Sequence, residues 1–332
     1  GFYFLIFLIL IFSNKQFNYK MNELSYSGDG SINSENNIKD LLFRIFILYS
    51  VLSFIIFLLL NLSDIRMFNS LNLSMSLISA GGFIPTNSLD KIIQSNPQKL
   101  VLIFSLLISL LNFFLILNIF EKKIIIRDHK EDLYLLILSL IFILPVYFNN
   151  YSGLNIIISV LSSLSNSGLS LLNSESNLSL YFILITIIGG SLISNTSGIK
   201  FTRIYILLKT VYSEIIKLVS PNSVVNKNIF NSDKKITDDV IKISFLIFIS
   251  FFISLFILSG ILLFDSIDFE KSFKLSILTI TNTTTSSMYD VGKVNFASLL
   301  TSSKLSLIIF MIIGKIELIS VFLIIKKIFF KD

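Results

Sequence analysis

The chain has 332 residues, of which 53% are hydrophobic and 14% charged; its mean hydropathy is +0.82 and its formal net charge +6. That composition belongs to a helical protein that crosses a membrane several times and not to a soluble domain. With no cysteine and His129 as the one histidine, it argues against disulfides, thiolate metal sites and Ser/His or Cys/His nucleophile pairs, and because most basic residues flank apolar runs it argues for a bilayer partner and against nucleic acid.

In chain order, residues 2–12 are apolar but too short to span, since about 20 residues are needed. They read as the tail of a membrane helix that starts before this sequence does. Residues 13–40 are polar, with Lys15, Lys20 and Lys39. Spans are expected at 41–62, 99–120, 133–148, 241–264 and 305–325. Between them lie a mixed stretch at 63–98, a charged one at 121–131 and a Ser/Asn/Gly-rich one at 149–177. A basic, partly amphipathic stretch follows at 210–239 and a polar one at 265–303. His129, between Asp128 and Lys130, reads as an exposed loop residue.

One apolar run is broken. Residues 181–188 are apolar, ten residues follow at 189–198 of which eight are polar or glycine, and apolar character resumes from Ile199 with Lys200 and Arg203 in it. Bare backbone at membrane depth is tolerated only where protein buries it or where it lines a water-filled cavity. The stretch therefore predicts a pore or transport path with a flexible plug.

Basic residues set the orientation. Segments 13–44, 121–132, 200–242 and 326–332 hold 19 of the 27 Lys and Arg, and the alternating segments hold seven. The first set is expected on the cytoplasmic side. Lys315, inside the last span, is the odd one out.

A pattern then repeats at 41–120, 133–209 and 241–327: span, outer segment, span, basic inner linker. Each outer segment opens with an amphipathic stretch fit for a short helix, at 68–78, 154–164 and 269–280. Each then enters a turn of small and polar residues. The first is Ser79, Ala80, Gly81, Gly82 and Phe83, and the second Ser165, Asn166, Ser167, Gly168 and Leu169. The third is Asn282, Thr283, Thr284, Thr285 and Ser286. A short re-entrant helix followed by a turn that aims carbonyls at an axis is the build of a cation-selective pore. Glycine suits such turns because positive φ lets successive carbonyls face one way.

These features resemble the TrkH/KtrB superfamily of potassium uptake pore subunits, most closely its TrkH branch. The resemblance rests on 189–209, on 79–83, and on Asn295, Phe296, Ala297 and Ser298 ahead of Ile313, Gly314, Lys315, Ile316 and Glu317. It implies an all-α integral membrane protein with four helix–pore-helix–helix units around a cation pore. Residues 1–12 are then the end of the first unit, and 13–40, 121–132 and 210–240 are cytoplasmic linkers. The resemblance also implies that Gly82 and Gly168 are filter glycines. It makes Gly189, Gly190, Ser194, Asn195, Thr196, Ser197 and Gly198 an intramembrane gating loop, and sets Lys315 where the family has Arg. Lys315, expected to find partners in that loop, is separate from Glu317, which faces away from it on a helix.

The third turn departs from the pattern, because no glycine lies between Gly260 and Gly292. Counting from Asn282 puts Thr284 at the glycine position, and counting back from Asn295 puts Ser286 there. The implied function is conduction of monovalent cations, with potassium or sodium as the bound ion and no covalently held cofactor. The alternative is a divergent paralogue with a sodium-permeable or poorly conducting pore. The implied partners are a second copy in a homodimer, a cytoplasmic nucleotide-binding regulatory ring docking on 210–239, and the lipid of the cell inner membrane. A membrane enzyme needs a cluster of Asp, Glu and His at one membrane face, which the sequence lacks. Asp64, Asp90, Asp265, Asp268 and Glu270 read mainly as solvated residues near the outer mouth.

Overall fold

In a computed structural model of the chain, the described residues are 1–2, 6, 35–86, 88–120, 130–148, 152–172, 176–220, 228–231, 236–265, 267–291, 296–297 and 299–316. The expectations for the end of a first unit at 1–12, the linker before residue 35, His129, Asn295, Ser298 and Glu317 fall largely or wholly outside them. The described residues are helical with no strand.

The helices are α1 (Glu35–Leu62), α2 (Met67–Ile78), α3 (Asn96–Leu110), α4 (Phe113–Phe120), α5 (Lys130–Tyr147) and α6 (Gly153–Leu164), then α7 (Ser176–Ile188), α8 (Phe201–Val219), α9 (Asp238–Leu263), α10 (Phe269–Ile280) and α11 (Thr301–Ile316). By length and composition Leu42–Leu62 and Asp238–Leu263 each suffice to cross a bilayer. The helices α2, α6 and α10 each have 12 residues and too little length to cross. Each packs beside the longer helix that precedes it, with α2 on α1, α6 on α5 and α10 on α9. Across the molecule α6 meets α3, and α10 meets α7 and α11.

The outer face differs from that of a soluble protein, while the interior holds both apolar and hydroxyl side chains. Phe46, Phe54, Leu140, Ile141, Ile253, Phe256 and Ile309 are exposed. Serines point inward: Ser70, Ser105, Ser109, Ser159, Ser162, Ser244 and Ser272 are buried. Small side chains let helices approach closely in a setting where burying Leu against lipid-like surroundings gains little. Several of these hydroxyls bond to their own helix, as when Ser105 Oγ donates to the Leu102 carbonyl at 2.7 Å and Ser109 Oγ to that of Leu106 at 2.8 Å.

Two expected spans are corrected. Residues 99–120 are not one helix: α3 and α4 meet at a bend of 105°. Leu111 is extended (ψ 163°), and Asn112 caps the new helix by accepting the N–H of Phe114 on Oδ1 at 2.9 Å. An apolar run conceals this break, because a single Asn among Leu and Phe does not alter its mean hydropathy. The span expected at 133–148 starts at Lys130, so Glu131 and Asp132 belong to the first turn of α5 and not to a solvated linker. Both are buried, by 8% and 2% exposure.

Candidate functional site

The three turns share one local geometry. The short helices end at Ile78, Leu164 and Ile280, and the next residue is still right-handed in each case. The residue after that is left-handed: Ala80 at φ 50°, Asn166 at 59° and Asn282 at 52°. Its N–H donates back to Leu77, Ser163 or Thr279 at 3.1–3.2 Å. The N–H of the following residue reaches one residue further back, to Ser76, Ser162 or Leu278, at 2.8–3.1 Å. This is the Schellman type of helix ending, which satisfies carbonyls that a helix C-terminus otherwise leaves open.

The same offset from the helix end then falls on Gly82, Gly168 and Thr284, so the third turn is in register at Thr284 and not at Ser286. Gly82 and Gly168 sit at φ 67° and 72°, whereas Thr284 is not left-handed. A β-branched residue resists that conformation, so the third turn leaves the shared path at this residue.

At this level the turns converge. A Cβ on Gly82 would lie 1.6 Å from the Ser167 carbonyl oxygen, and one on Gly168 would lie 2.3 Å from that of Thr284. No side chain fits at either place. Thr284 Oγ1 donates to the Ser167 carbonyl at 2.6 Å and lies 3.5 Å from the Gly82 carbonyl oxygen. One hydroxyl thus stands where backbone carbonyls of two other turns point. Beside it a cavity of about 730 Å³ is lined by Ala80, Leu278, Thr283, Thr284, Met311 and Lys315. Thr285 is exposed and Ser286 partly so, further along the turn.

The turns are fastened differently. Asn166 Nδ2 donates to the Thr186 carbonyl in α7 at 2.8 Å, and Asn282 Nδ2 to the Met311 carbonyl in α11 at 2.8 Å. The first turn has Ala80 in that place and no amide to give. It is held from outside: Asn195 Nδ2 donates to the Ile78 carbonyl at 2.6 Å, and Lys315 Nζ to the Ser79 carbonyl at 3.3 Å.

Asn195 lies in the 189–198 stretch between α7 and α8. Residues 189–197 are buried, and Gly189 and Gly198 at its ends are left-handed, at φ 71° and 82°. Lys315 Nζ donates to the Asn195 carbonyl at 2.7 Å, so one ammonium joins this loop to the first turn. Inside the loop Thr196 Oγ1 accepts the N–H of Gly190 at 3.0 Å and lies 2.7 Å from Ser194 Oγ. Ser197 is buried with them.

A second ammonium holds the loop, and the sequence reading missed it. Lys200 was counted with the cytoplasmic charge, yet it is 1% exposed. Its Nζ donates to the Thr196 carbonyl at 2.6 Å and the Ser194 carbonyl at 3.2 Å, with both hydroxyls within 3.3 Å. Arg203, counted the same way, is fully buried and reaches the Ile199 carbonyl at 3.3 Å. The available signal was the one applied to Lys315: a charge in an apolar run is costly unless it faces oxygen ligands. Both lysines supply three donors to a backbone rich in unsatisfied carbonyls.

Comparison with known proteins gives three findings. A family profile described as TrkH, cation transport protein, matches residues 172–331. An uncharacterized cation transporter of Methanocaldococcus jannaschii, MJ1485, is 25% identical over 301 residues, which cover 86% of this chain and 59% of that protein. This chain therefore spans about three fifths of the length of the curated relative it matches. The crystal structure of the potassium transporter TrkH from Vibrio parahaemolyticus superposes with a TM-score of 0.80 at 18% identity, over 98% of this chain and 69% of that one.

Proposed function

We propose, from the match of residues 172–331 to the TrkH cation transport profile and the shared fold, that the chain is a TrkH-type pore-forming subunit that passes monovalent cations, potassium first, across the cell membrane. The observation that carries this reading is the meeting of three helix-end turns at Gly82, Gly168 and Thr284, with carbonyls of two turns aimed at one oxygen of the third. Converging carbonyls replace the hydration shell of an alkali cation. Ser79, Gly81, Ser165, Ser167 and Thr283 add hydroxyls or carbonyls along the same turns. In this reading the pore is built of four helix–turn–helix units, and the three described turns supply three of its sides.

The 189–198 loop is the gate in this reading. Lys200 folds it, Lys315 ties it to the first turn, and their positive charge opposes a cation in the path. The basic linkers face the cytoplasm, where a nucleotide-binding regulatory ring acts on a homodimer of the subunit. That the protein of the superposed crystal structure is a potassium transporter supports the choice of ion. A specific observation favours the second reading, a sodium-permeable or slow pore: Thr284 puts a hydroxyl, and not a left-handed glycine, at the convergence point.

The test is uptake of potassium and sodium by vesicles carrying the full-length protein. Gly168→Ala is expected to abolish uptake while the protein still inserts. Undiminished uptake of both ions by that variant sinks the pore reading.

A further inference from the structure

Glu131 and Asp132 stand side by side in the first turn of α5, both buried, and neither belongs to the turns or the loop. Each takes a backbone N–H from a place where a helix is interrupted. Glu131 Oε1 accepts the N–H of Leu192, in the loop, at 2.7 Å, and also the hydroxyl of Thr202 in the first turn of α8. Asp132 Oδ1 accepts the N–H of Asn112, at the bend between α3 and α4, at 2.9 Å.

The two interruptions also bond to each other. The N–H of Ser191 donates to the Leu110 carbonyl at 3.1 Å, and that of Phe113 to the Ile193 carbonyl at 2.9 Å. Residues 110–113, 131–132 and 191–193 therefore form one clasp. Interrupted helices expose N–H groups that need acceptors when buried. Here two adjacent carboxylates on a third helix supply them. Lys200 and Arg203, both buried, are the cations whose charge reaches Glu131.

We propose that Glu131 is a positioning residue for the loop: it latches the loop at Leu192 to the start of α5, so that displacement of that helix start loosens the loop. Asp132 carries the same displacement to the α3–α4 bend. The loop is thus held at two points of opposite origin. Lys315 holds Asn195 from α11, and Glu131 holds Leu192 from α5. Regulation that moves the start of α5 reaches the loop without passing through the filter turns. The inference rests on the reading of 189–198 as the gate.

The experiment uses the full-length protein in vesicles, with Ile193→Cys as a reporter and the parent without it as the background; residues 1–332 hold no cysteine. Thiol labelling rate and cation flux are read together. Losing a charge-assisted hydrogen bond is expected to raise the labelling rate of Glu131→Ala about tenfold, with flux rising alongside. Glu131→Gln keeps an oxygen for the Leu192 N–H and stays near the parent. Thr202→Val removes one donor, keeps the shape, and gives a smaller rise in the same direction; it serves as the readout if Glu131→Ala does not insert. If Lys315→Ala raises both signals while Glu131→Ala and Thr202→Val leave both at the parent level, the latch is overturned and the gate reading survives. If Glu131→Ala raises labelling but no variant changes flux, the latch stands as a support of the loop and the gate reading fails.

Discussion

The first and third turns end their short helices in the same conformation and then solve two problems in opposite ways. The first turn has Gly82 at the point of convergence and so leaves the centre free of side chains, but Ala80 gives it no amide to bind its neighbours. It depends on Asn195 and Lys315, which belong to the loop and to α11. The third turn carries Asn282 and fastens itself to α11 through Met311, yet Thr284 fills its centre with a hydroxyl. The difference teaches that holding a turn and shaping its centre are separable tasks, assigned to residues two positions apart. In the first turn the holding task has passed to the loop, which makes that turn the one whose shape depends on the loop's position.

The largest expected effect comes from closing the centre of the first turn. Gly82→Ala combines positive φ with an overlap at 1.6 Å from the Ser167 carbonyl oxygen. The cost is about 2–3 kcal/mol or more, read as a fall in thermal stability with loss of cation uptake. A stable, conducting Gly82→Ala protein breaks the comparison at its root.

Removing the outside support is next. Lys315→Ala takes the ammonium from both Asn195 and Ser79 and is expected to raise unregulated cation flux about tenfold, as for a charge-assisted hydrogen bond of ~1.4 kcal/mol or more. Lys315→Arg keeps donors for both carbonyls and holds flux near the parent. Uptake in vesicles decides, and flux unchanged in the Ala variant assigns Lys315 a purely structural role.

Thr284→Gly makes the third turn like the first at its centre. The potassium-to-sodium flux ratio should rise about fivefold, the equivalent of one net hydrogen bond of ~1 kcal/mol. Competitive flux with both ions checks this, and a constant ratio removes Thr284 from the selective path.

The smallest effects concern the holding residues. Asn282→Ala loses the bond to the Met311 carbonyl and the tolerance of Asn for left-handed backbone, at about 1 kcal/mol. Ala80→Asn runs the other way and should stabilise by less than ~1 kcal/mol. Thermal unfolding of the detergent-solubilised pair measures both. Equal and opposite shifts larger than these would mean that the two turns are less alike than their caps.

The short helices and their turns were legible in the sequence because a small, turn-forming cluster after an amphipathic stretch has few structural readings. The broken run at 189–198 was legible for the same reason, since Gly189, Gly190 and Gly198 interrupt apolar residues that otherwise read as helix. The bend at Asn112 was not, because one residue of capping type leaves periodicity and hydropathy intact. Lys200, Arg203, Glu131 and Asp132 were misplaced for a different reason. Each lies at the edge of an apolar run, where counting charges assigns it to solvent, and only neighbours remote in sequence bury it.

The sequence by itself determined that this chain is a helical membrane protein with three helix–turn segments and an interrupted run, because hydropathy, turn chemistry and the cost of bare backbone in lipid act over local stretches. It also narrowed the third turn to Thr284 or Ser286. The tertiary structure decided between them, since the register follows from the end of α10 and from what the hydroxyl meets across the centre. It also decided that Glu131, Asn112 and Leu192 share one clasp and that Ser79 and Asn195 share one ammonium. Those pairings join backbone groups tens to more than a hundred residues apart. Backbone donors and acceptors are the same at every position of the chain, so no pattern of side chains along the sequence marks which of them will meet.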